Sequence, residues 1–166
     1  LWYGKGDPAV DPDLLQAAAT AQAVKDALLL GVDDDTNAFN AYMEARRLPS
    51  GTPAEQQARD DAMQRGLQQA IEVPLATARD SLRAMQAAWT TGQRGNPKSL
   101  TDAAVGVQMG VAGVRGGVWN AWINLGEISD PAYVARVRAE CEGLLAEAAA
   151  LETRCVDWVR GRIGGS

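Results

Sequence analysis

The chain has 166 residues, of which 46% are hydrophobic and 22% are charged, a composition typical of one soluble domain with one continuous core. Its formal net charge of -5, with no cluster of Lys and Arg, argues against a nucleic-acid partner, which would need a basic face. It contains no histidine, which excludes Ser-His-Asp triads, Cys-His nucleophiles and His-based zinc sites, and no metal is expected.

The two ends of the chain are predicted to lie outside the helical core. Residues 1–10 are punctuated by Gly and Pro and are predicted to form a loop, and residues 164–166 are predicted to form a flexible tail. The sequence begins with Leu1 rather than Met and has no signal-peptide pattern, so we interpret it as a truncated or processed chain. No stretch of about 18 uncharged apolar residues occurs, and no membrane span is therefore expected.

The first half of the sequence predicts two long helices. Asp11 and Pro12 are a helix-start signal, and the first helix is predicted to run to about Arg47. Thr52 is predicted to cap a second helix, which runs to about Thr91 with a kink at Pro74. On the first helix, steps of three or four residues define one predicted face, which consists of Leu14, Ala18, Ala21, Val24, Leu28, Val32, Asp35, Phe39 and Tyr42.

The third predicted helix, over residues 101–125, differs from the others in its lack of charge. Between Asp102 and Glu127 the only charged residue is Arg115, a pattern typical of a central, buried helix. Small and amide residues recur at steps of three or four and predict close approach of a neighbouring helix. They are Ala103, Gly106, Gly110, Gly113, Gly117, Asn120 and Asn124. Each glycine costs about 1 kcal/mol relative to Ala inside a helix, so packing or function must offset it.

A fourth helix is predicted from Pro131 to about Arg162, which completes an all-α, up-and-down antiparallel bundle that occupies residues 1–166 as a single domain. Its apolar stripe consists of Val134, Val137, Cys141, Leu144, Ala148, Leu151, Cys155 and Trp158. The two cysteines would lie about 21 Å apart along this helix, too far for a disulfide. We therefore predict that both are small core residues of a protein in the reducing cytoplasm.

Asp35 is the first candidate functional residue. It belongs to the acidic run of residues 33–35, and such runs usually form a solvated helix face. Only Asp35 falls in register with Leu28, Val32 and Phe39, however, and a charged carboxylate is costly to bury on an apolar face. That environment suits a general acid, although a buried Asp held by hydrogen bonds from a neighbouring helix explains the pattern as well.

Five further polar residues are candidates for binding, each with a structural alternative. Asn120 and Asn124 could orient a heterocycle rich in N–H and C=O groups, or could join two helices by hydrogen bonds. Arg115 could bind a substrate carboxylate or form an ion pair. Asp102 and Lys98 lie near a helix start, where Asp102 is favoured by the helix dipole and Lys98 could meet an anion.

The stretch from residue 33 to residue 49 contains Asp-x-Asp and then Ala-Phe-x-Ala-Tyr within Asp33 to Met43, followed by Arg47-Leu48-Pro49. It resembles the cyclodeaminase domain of formiminotransferase-cyclodeaminase, a family that carries these three motifs in this order. Later motifs follow in the same order, over a resemblance that covers residues 24–135. They are Thr52-Pro53-x-Glu55, Val73-Pro74-Leu75, Gly95-Asn96, Asp102, and Asn120-Ala121-Trp122-Ile123-Asn124-Leu125.

The resemblance implies an all-helical bundle that forms dimers or larger homo-oligomers and binds a tetrahydrofolate derivative in a cleft near the subunit interface. It implies either cyclisation of 5-formiminotetrahydrofolate to 5,10-methenyltetrahydrofolate with release of ammonia, or methenyltetrahydrofolate cyclohydrolase activity. The family's catalytic aspartate maps onto Asp35. Asn120, Asn124 and Asp102 are then candidates for contact with the pterin, and Arg115 or Lys98 for contact with the glutamate tail. A fused or associated formiminotransferase domain is an implied partner.

One departure from the family pattern bears on activity. Family members begin with a Pro-Gly-Gly-Gly-Ser motif on an alanine-rich first helix, and this chain has no counterpart. We therefore predict that the family's N-terminal helices are absent and that the domain is incomplete at its N-terminus. A non-catalytic helical module for oligomerisation is the alternative hypothesis.

Overall fold

The computed structural model describes residues 11–163, and the predicted N-terminal loop and C-terminal tail lie outside that range. Four long helices form as predicted, with ends no more than three residues from the predicted ones. They are α1 (Pro12–Ala45), α2 (Pro53–Arg94), α3 (Leu100–Asn124) and α4 (Pro131–Ile163), with 3₁₀ turns at Pro97–Ser99 and Leu125–Glu127. The described part of the chain contains no strand, which confirms the all-α fold class.

Local sequence signals account for where the helices begin. The Asp11 carboxylate accepts a hydrogen bond from the Asp13 N–H at 2.9 Å, and Pro12 occupies the first turn of α1. At the start of α2, the Thr52 hydroxyl accepts from the Glu55 N–H at 3.3 Å. The Glu55 carboxylate accepts from the Thr52 N–H at 2.9 Å, which completes the predicted capping box.

α2 is the central helix, because it packs against α1, α3 and α4. Two clusters of buried side chains lie between α2, α3 and α4 and form the core. The first consists of Ile71, Leu75, Ala78, Val118, Ala121, Leu125, Val137 and Cys141, and the second of Leu82, Met85, Val107, Val111, Val114, Ala148, Leu151 and Cys155. The prediction that the two cysteines are buried, unpaired core residues is confirmed.

The small-residue seam of α3 brings it close to α2, as predicted. A Cβ atom at Gly117 would lie 2.5 Å from the carbonyl oxygen of Pro74, and one at Gly106 would lie 3.2 Å from the Ala88 Cβ. The glycines therefore replace side chains that would separate the two backbones. The prediction that α3 is buried all round is wrong, because its other face is exposed and apolar. That face carries Val105, Met109, Trp119 and Ile123.

The predicted buried face of α1 is also wrong in part. Val32 and Phe39 are 67% and 62% exposed, whereas the residues that face α2 recur every seven positions. These are Ala17, Val24, Gly31, Ala38 and Ala45, of which Gly31 is half-buried and the others are buried. Small side chains occupy the interface between α1 and α2 because they allow the two helix backbones to approach. The larger apolar side chains of α1 lie outside this interface. Among residues 11–163, no helix is both long and apolar enough to cross a membrane.

Candidate functional site

A cleft of about 330 Å³ is lined by residues of α1, α2 and α3. α1 contributes Gly31 and Asp35 to its lining, and α3 contributes Asn120 together with three glycines. The full lining is Gly31, Asp35, Val73, Pro74, Thr77, Gly113, Gly116, Gly117 and Asn120. A second cavity of about 250 Å³ adjoins it and shares Gly31, Val73 and Thr77 with it. The cleft therefore combines a carboxylate and an amide with a wall of small residues.

Asp35 is the member of the acidic run that lines this cleft. Asp34 lines the adjoining cavity, and Asp33 lines neither. The prediction that Asp35 lies on a buried apolar face is wrong, because its side chain is exposed and that side of α1 does not pack on α2. With the described residues, the Asp35 carboxylate forms no hydrogen bond or ion pair, so its oxygens are available to water or a ligand.

Asn120 lines the same cleft from α3. Its side-chain Nδ2 donates a hydrogen bond of 3.0 Å to the carbonyl oxygen of Gly116, one turn earlier on the same helix. This bond holds the amide against α3 at the cleft wall. No other hydrogen bond of the Asn120 side chain is made with residues 11–163, which leaves one N–H and the carbonyl oxygen for a ligand.

Asn124 has a structural contact that follows from Pro74. Proline has no N–H, so the carbonyl oxygen of Ala70, four residues earlier on α2, lacks its usual helical partner. The Nδ2 atom of Asn124 donates to that oxygen at 3.3 Å and to the carbonyl oxygen of Asn120 at 3.2 Å. α2 continues as one helix through Pro74, and Asn124 joins it to α3 beside the cleft.

Like Asn124, the other three candidates do not line the cleft. Arg115 forms an ion pair with Glu152 on α4 at 2.9 Å. Asp102 lies in the first turn of α3, and its 14-residue separation from Gly116 corresponds to about 21 Å along the helix. The backbone N–H of Lys98 donates to the Asn96 side chain at 3.0 Å within the 3₁₀ turn that precedes α3. The structure therefore brings Asp35 and Asn120 together in the cleft, places Asn124 one turn from Asn120 outside its lining, and leaves these three apart.

Seven of the nine cleft residues were not singled out as site residues from the sequence. Pro74, Gly113 and Gly117 were noted only for the predicted kink and the small-residue seam, and the other four are Gly31, Val73, Thr77 and Gly116. Val73 belongs to the Val-Pro-Leu motif, and the Thr77 hydroxyl donates to the Val73 carbonyl oxygen at 3.3 Å. Gly31 could have been found from the seven-residue spacing of small residues on α1. Gly116 lies beside the predicted seam rather than within it, and no sequence pattern marks it.

The strongest perturbation of a side-chain pKa lies away from the cleft, between α2 and α4. Burial, together with the neighbouring Glu72 carboxylate, raises the pKa of Tyr133 to about 12. Burial alone would raise the pKa of Glu72, but hydrogen bonds from Arg136 and Tyr133 outweigh it, and the pKa is lowered. Arg79 bridges Glu72 and Glu140, at 3.4 and 2.5 Å. These ion pairs and hydrogen bonds join Glu72 and Arg79 of α2 to Tyr133, Arg136 and Glu140 of α4. Among the described residues, no group of three or more Cys, Asp or Glu side chains could hold a metal ion.

Comparison with known proteins gives matches over most of the chain. Residues 3–143 match the profile of the family described as Formiminotransferase-cyclodeaminase. A protein named methenyltetrahydrofolate cyclohydrolase from Methylorubrum extorquens is 34% identical over 154 residues, which cover 93% of this chain and 74% of that protein. Proteins named formimidoyltransferase-cyclodeaminase from Sus scrofa and Gallus gallus are 36% and 37% identical over 79% and 74% of this chain. The chain spans only 24% and 23% of the lengths of these two proteins.

Proposed function

The chain belongs to the formiminotransferase-cyclodeaminase family, and on that premise we propose that its cleft binds a tetrahydrofolate derivative and opens or closes the ring that holds the one-carbon unit. The observation that carries the proposal is the position of Asp35. Its exposed carboxylate, which forms no ion pair with residues 11–163, lines the same cleft as the Asn120 amide and the glycine wall of α3.

We propose hydrolysis of 5,10-methenyltetrahydrofolate to 10-formyltetrahydrofolate as the first reaction to test. The alignment with the relative named for that activity spans 93% of this chain and 74% of the relative. The alignment with the porcine formimidoyltransferase-cyclodeaminase spans 79% of this chain but 24% of that protein. A match over most of both chains supports a shared activity better than a match to a small part of a longer one.

The proposed hydrolysis needs a group that accepts a proton and then returns it. In the substrate, one positively charged carbon bridges N5 and N10. Water adds to that carbon and gives a proton to the Asp35 carboxylate. The bond between the carbon and N5 then breaks, N5 takes the proton from Asp35, and the remaining hydroxyl loses its proton to solvent as the formyl carbonyl forms. One water is consumed and one proton is released, which balances the loss of the positive charge.

Asn120 is proposed to orient the pterin, because its remaining N–H and carbonyl oxygen match the N–H and C=O groups on the edge of that ring. Asn124 is proposed to support the cleft through its bond to Ala70. Contacts of Asn124 or Asp102 with the pterin, and of Arg115 or Lys98 with the glutamate tail, stay predictions. The positions of the last three support structural roles. Arg115 forms an ion pair with Glu152, and Asp102 and Lys98 lie at the start of α3.

The test replaces Asp35 by an isosteric side chain that cannot accept the proton. Asp35→Asn should lower kcat for loss of the methenyl absorbance by about 10²- to 10⁴-fold relative to the wild type, after subtraction of the uncatalysed rate. Its affinity for tetrahydrofolate should change little. Asp33→Asn is the matched control, since Asp33 is an exposed residue of the same acidic run that lines neither cavity. Equal loss of activity in both variants would contradict the role of Asp35.

A second candidate reaction is the cyclisation of 5-formiminotetrahydrofolate with release of ammonia. The 36% and 37% identity to formimidoyltransferase-cyclodeaminases favours it. In this reaction N10 attacks the formimino carbon of the protonated formimino group and gives its proton to the Asp35 carboxylate. Asp35 then delivers that proton to the amine, which departs as ammonia and leaves the methenyl cation. Proximity supplies much of the rate because both reacting groups belong to one substrate. Formation of the methenyl absorbance from 5-formiminotetrahydrofolate distinguishes the two reactions. An associated formiminotransferase domain is a partner only under this second candidate.

A homo-oligomer is also proposed, since a wide apolar surface of α3 is exposed in the single chain. Trp119 and Ile123 are 62% and 78% exposed on the turns that border Asn120, and contiguous patches of this kind mark interaction surfaces. Light scattering of the folate-free protein should give the mass of a dimer or larger assembly. A module that only oligomerises should show no rise in melting temperature with tetrahydrofolate, whereas a folate enzyme should show one.

A further inference from the structure

The glycines of α3 are of two kinds. Those that face α2 are explained by packing, because a Cβ atom at each of them would meet α2 or its side chains. Gly116 is different, because a Cβ atom there would have no neighbouring atom within 4 Å. Gly31 on α1 resembles it, since its nearest neighbour would be the Thr77 hydroxyl at 3.9 Å, an ordinary contact distance. Helix packing therefore does not require glycine at either position.

Glycine inside a helix is nevertheless unfavourable, because it loses more backbone freedom on folding than alanine does. Gly116 and Gly31 both lie well within their helices and both line the cleft that holds Asp35. What their missing side chains provide is open space on two walls of that cleft. The two helices thus carry destabilising residues at positions that open onto the cleft.

Gly116 is also coupled to Asn120. Residues four apart lie on the same face of a helix, with Cβ atoms about 5–6 Å apart. The Asn120 amide lies back along the helix and donates to the Gly116 carbonyl oxygen at 3.0 Å. A side chain at position 116 would stand beside this amide, in the space that a ligand needs to reach Asn120 and the backbone of α3.

We infer that Gly116 and Gly31 are specificity-determining residues of the cleft, which leave its walls flat so that a fused bicyclic ring lies with one face against the helix backbones beside Asp35. This inference rests on the proposed function, because it takes the pterin as the ring. It assigns to the two glycines a steric role that is distinct from the proton transfer of Asp35 and from the hydrogen bonding of Asn120.

The experiment compares Gly116→Ala and Gly116→Leu with the same two substitutions at Gly143, in the full chain. Gly143 is an exposed glycine within α4 whose Cβ atom would also meet nothing within 4 Å, and it lies outside the cleft. All four variants should melt at or above the wild-type temperature, since Ala and Leu are better helix formers than Gly. Calorimetry then measures the Kd for tetrahydrofolate, the probe ligand.

We expect Gly116→Ala to raise the Kd by roughly tenfold, or about 1.4 kcal/mol, and Gly116→Leu to abolish measurable binding, while the Gly143 variants bind as the wild type does. Gly31→Ala should weaken binding from the opposite wall. Wild-type affinity in Gly116→Leu and Gly31→Ala would overturn the inference and leave the proposed function standing. Weakened binding in the Gly143 variants would also overturn it, because the effect would not be local. A wild type that binds no tetrahydrofolate would overturn both proposals.

Discussion

At the scale of single residues, Gly116 and Gly117 are neighbours in sequence whose replacement should have opposite effects on stability. A Cβ atom at Gly117 would lie 2.5 Å from the Pro74 carbonyl oxygen and 2.9 Å from the Ala78 nitrogen. Both are backbone atoms of α2, so the helices would have to separate. We expect Gly117→Ala to lower the free energy of unfolding by about 1–3 kcal/mol, despite the gain of about 1 kcal/mol in helix propensity.

Urea denaturation measures the Gly117→Ala effect, with Gly116→Ala as the adjacent control. The control should be at least as stable as the wild type, since its new methyl group meets no atom within 4 Å. A Gly117→Ala variant of wild-type stability would mean that α2 and α3 can move apart at Pro74 without loss, which would contradict the close packing of the seam.

Asp35 shows how far a single site residue can be predicted from sequence. Periodicity separates it from Asp33 and Asp34, and in the structure it is the one of the three that lines the cleft with Asn120. The reason derived from the sequence was wrong, because Val32 and Phe39 mark an exposed apolar side of α1 rather than its buried face. A hydrophobic pattern reports that a face avoids water, but it does not say what covers that face.

At the scale of helices, Asn124 on α3 donates to the Ala70 carbonyl oxygen on α2, which Pro74 leaves without its helical donor. Removing the Asn124 amide leaves the Ala70 carbonyl oxygen without a donor, which should cost about 1–3 kcal/mol. Pro74→Ala restores an N–H four residues after Ala70, and with it the ordinary helical bond. We therefore expect Asn124→Ala to be destabilising in the wild type and much less so in the Pro74→Ala background.

A double-mutant cycle on the free energy of unfolding measures this coupling, and a value between about 0.5 and 3 kcal/mol is expected for residues in one hydrogen-bond network. Additive effects of the two substitutions would show that Asn124 does not act on the carbonyl group that Pro74 leaves unpaired. The cycle also distinguishes a structural role of Asn124 from a role in ligand contact, because the free energies of unfolding are measured without folate.

The helices themselves were predictable because their signals are local. Thr52 with Glu55 and Asp11 with Pro12 define helix starts. Five of the eight residues of the predicted α4 stripe, Cys141 and Cys155 among them, are buried, and the other three are half-buried. The face of α1 was not predictable from apolar periodicity. Its contacts with α2 come from small residues every seven positions, and short side chains contribute little to a hydrophobic pattern.

At the scale of the whole molecule, the two cysteines lie in different core clusters and report on both halves of the bundle. Cys141 packs with the cluster that contains Ile71, and Cys155 with the cluster that contains Met85. Burial raises the pKa of both thiols, with the Glu140 carboxylate a further cause at Cys141. The thiolate, which is the reactive form, is therefore disfavoured in the folded protein, and neither thiol should react with a disulfide reagent until the core opens.

The raised pKa values of the two thiols determine whether the free energy of unfolding rises or falls at alkaline pH. Above about pH 8.5 the thiols of the unfolded chain lose their protons, while those of the folded chain keep them. The folded state then binds more protons, so the free energy of unfolding falls as pH rises. Tyr133 lowers the free energy of unfolding further as pH rises, since its phenol has a pKa of about 12 in the folded protein against about 10 when unfolded.

Urea midpoints at pH 7, 9 and 10 should therefore decrease in that order. The double variant Cys141→Ala/Cys155→Ala should show a smaller decrease between pH 7 and 9. An equal decrease in the double variant would contradict this prediction, because groups other than the buried thiols would then cause the loss of stability.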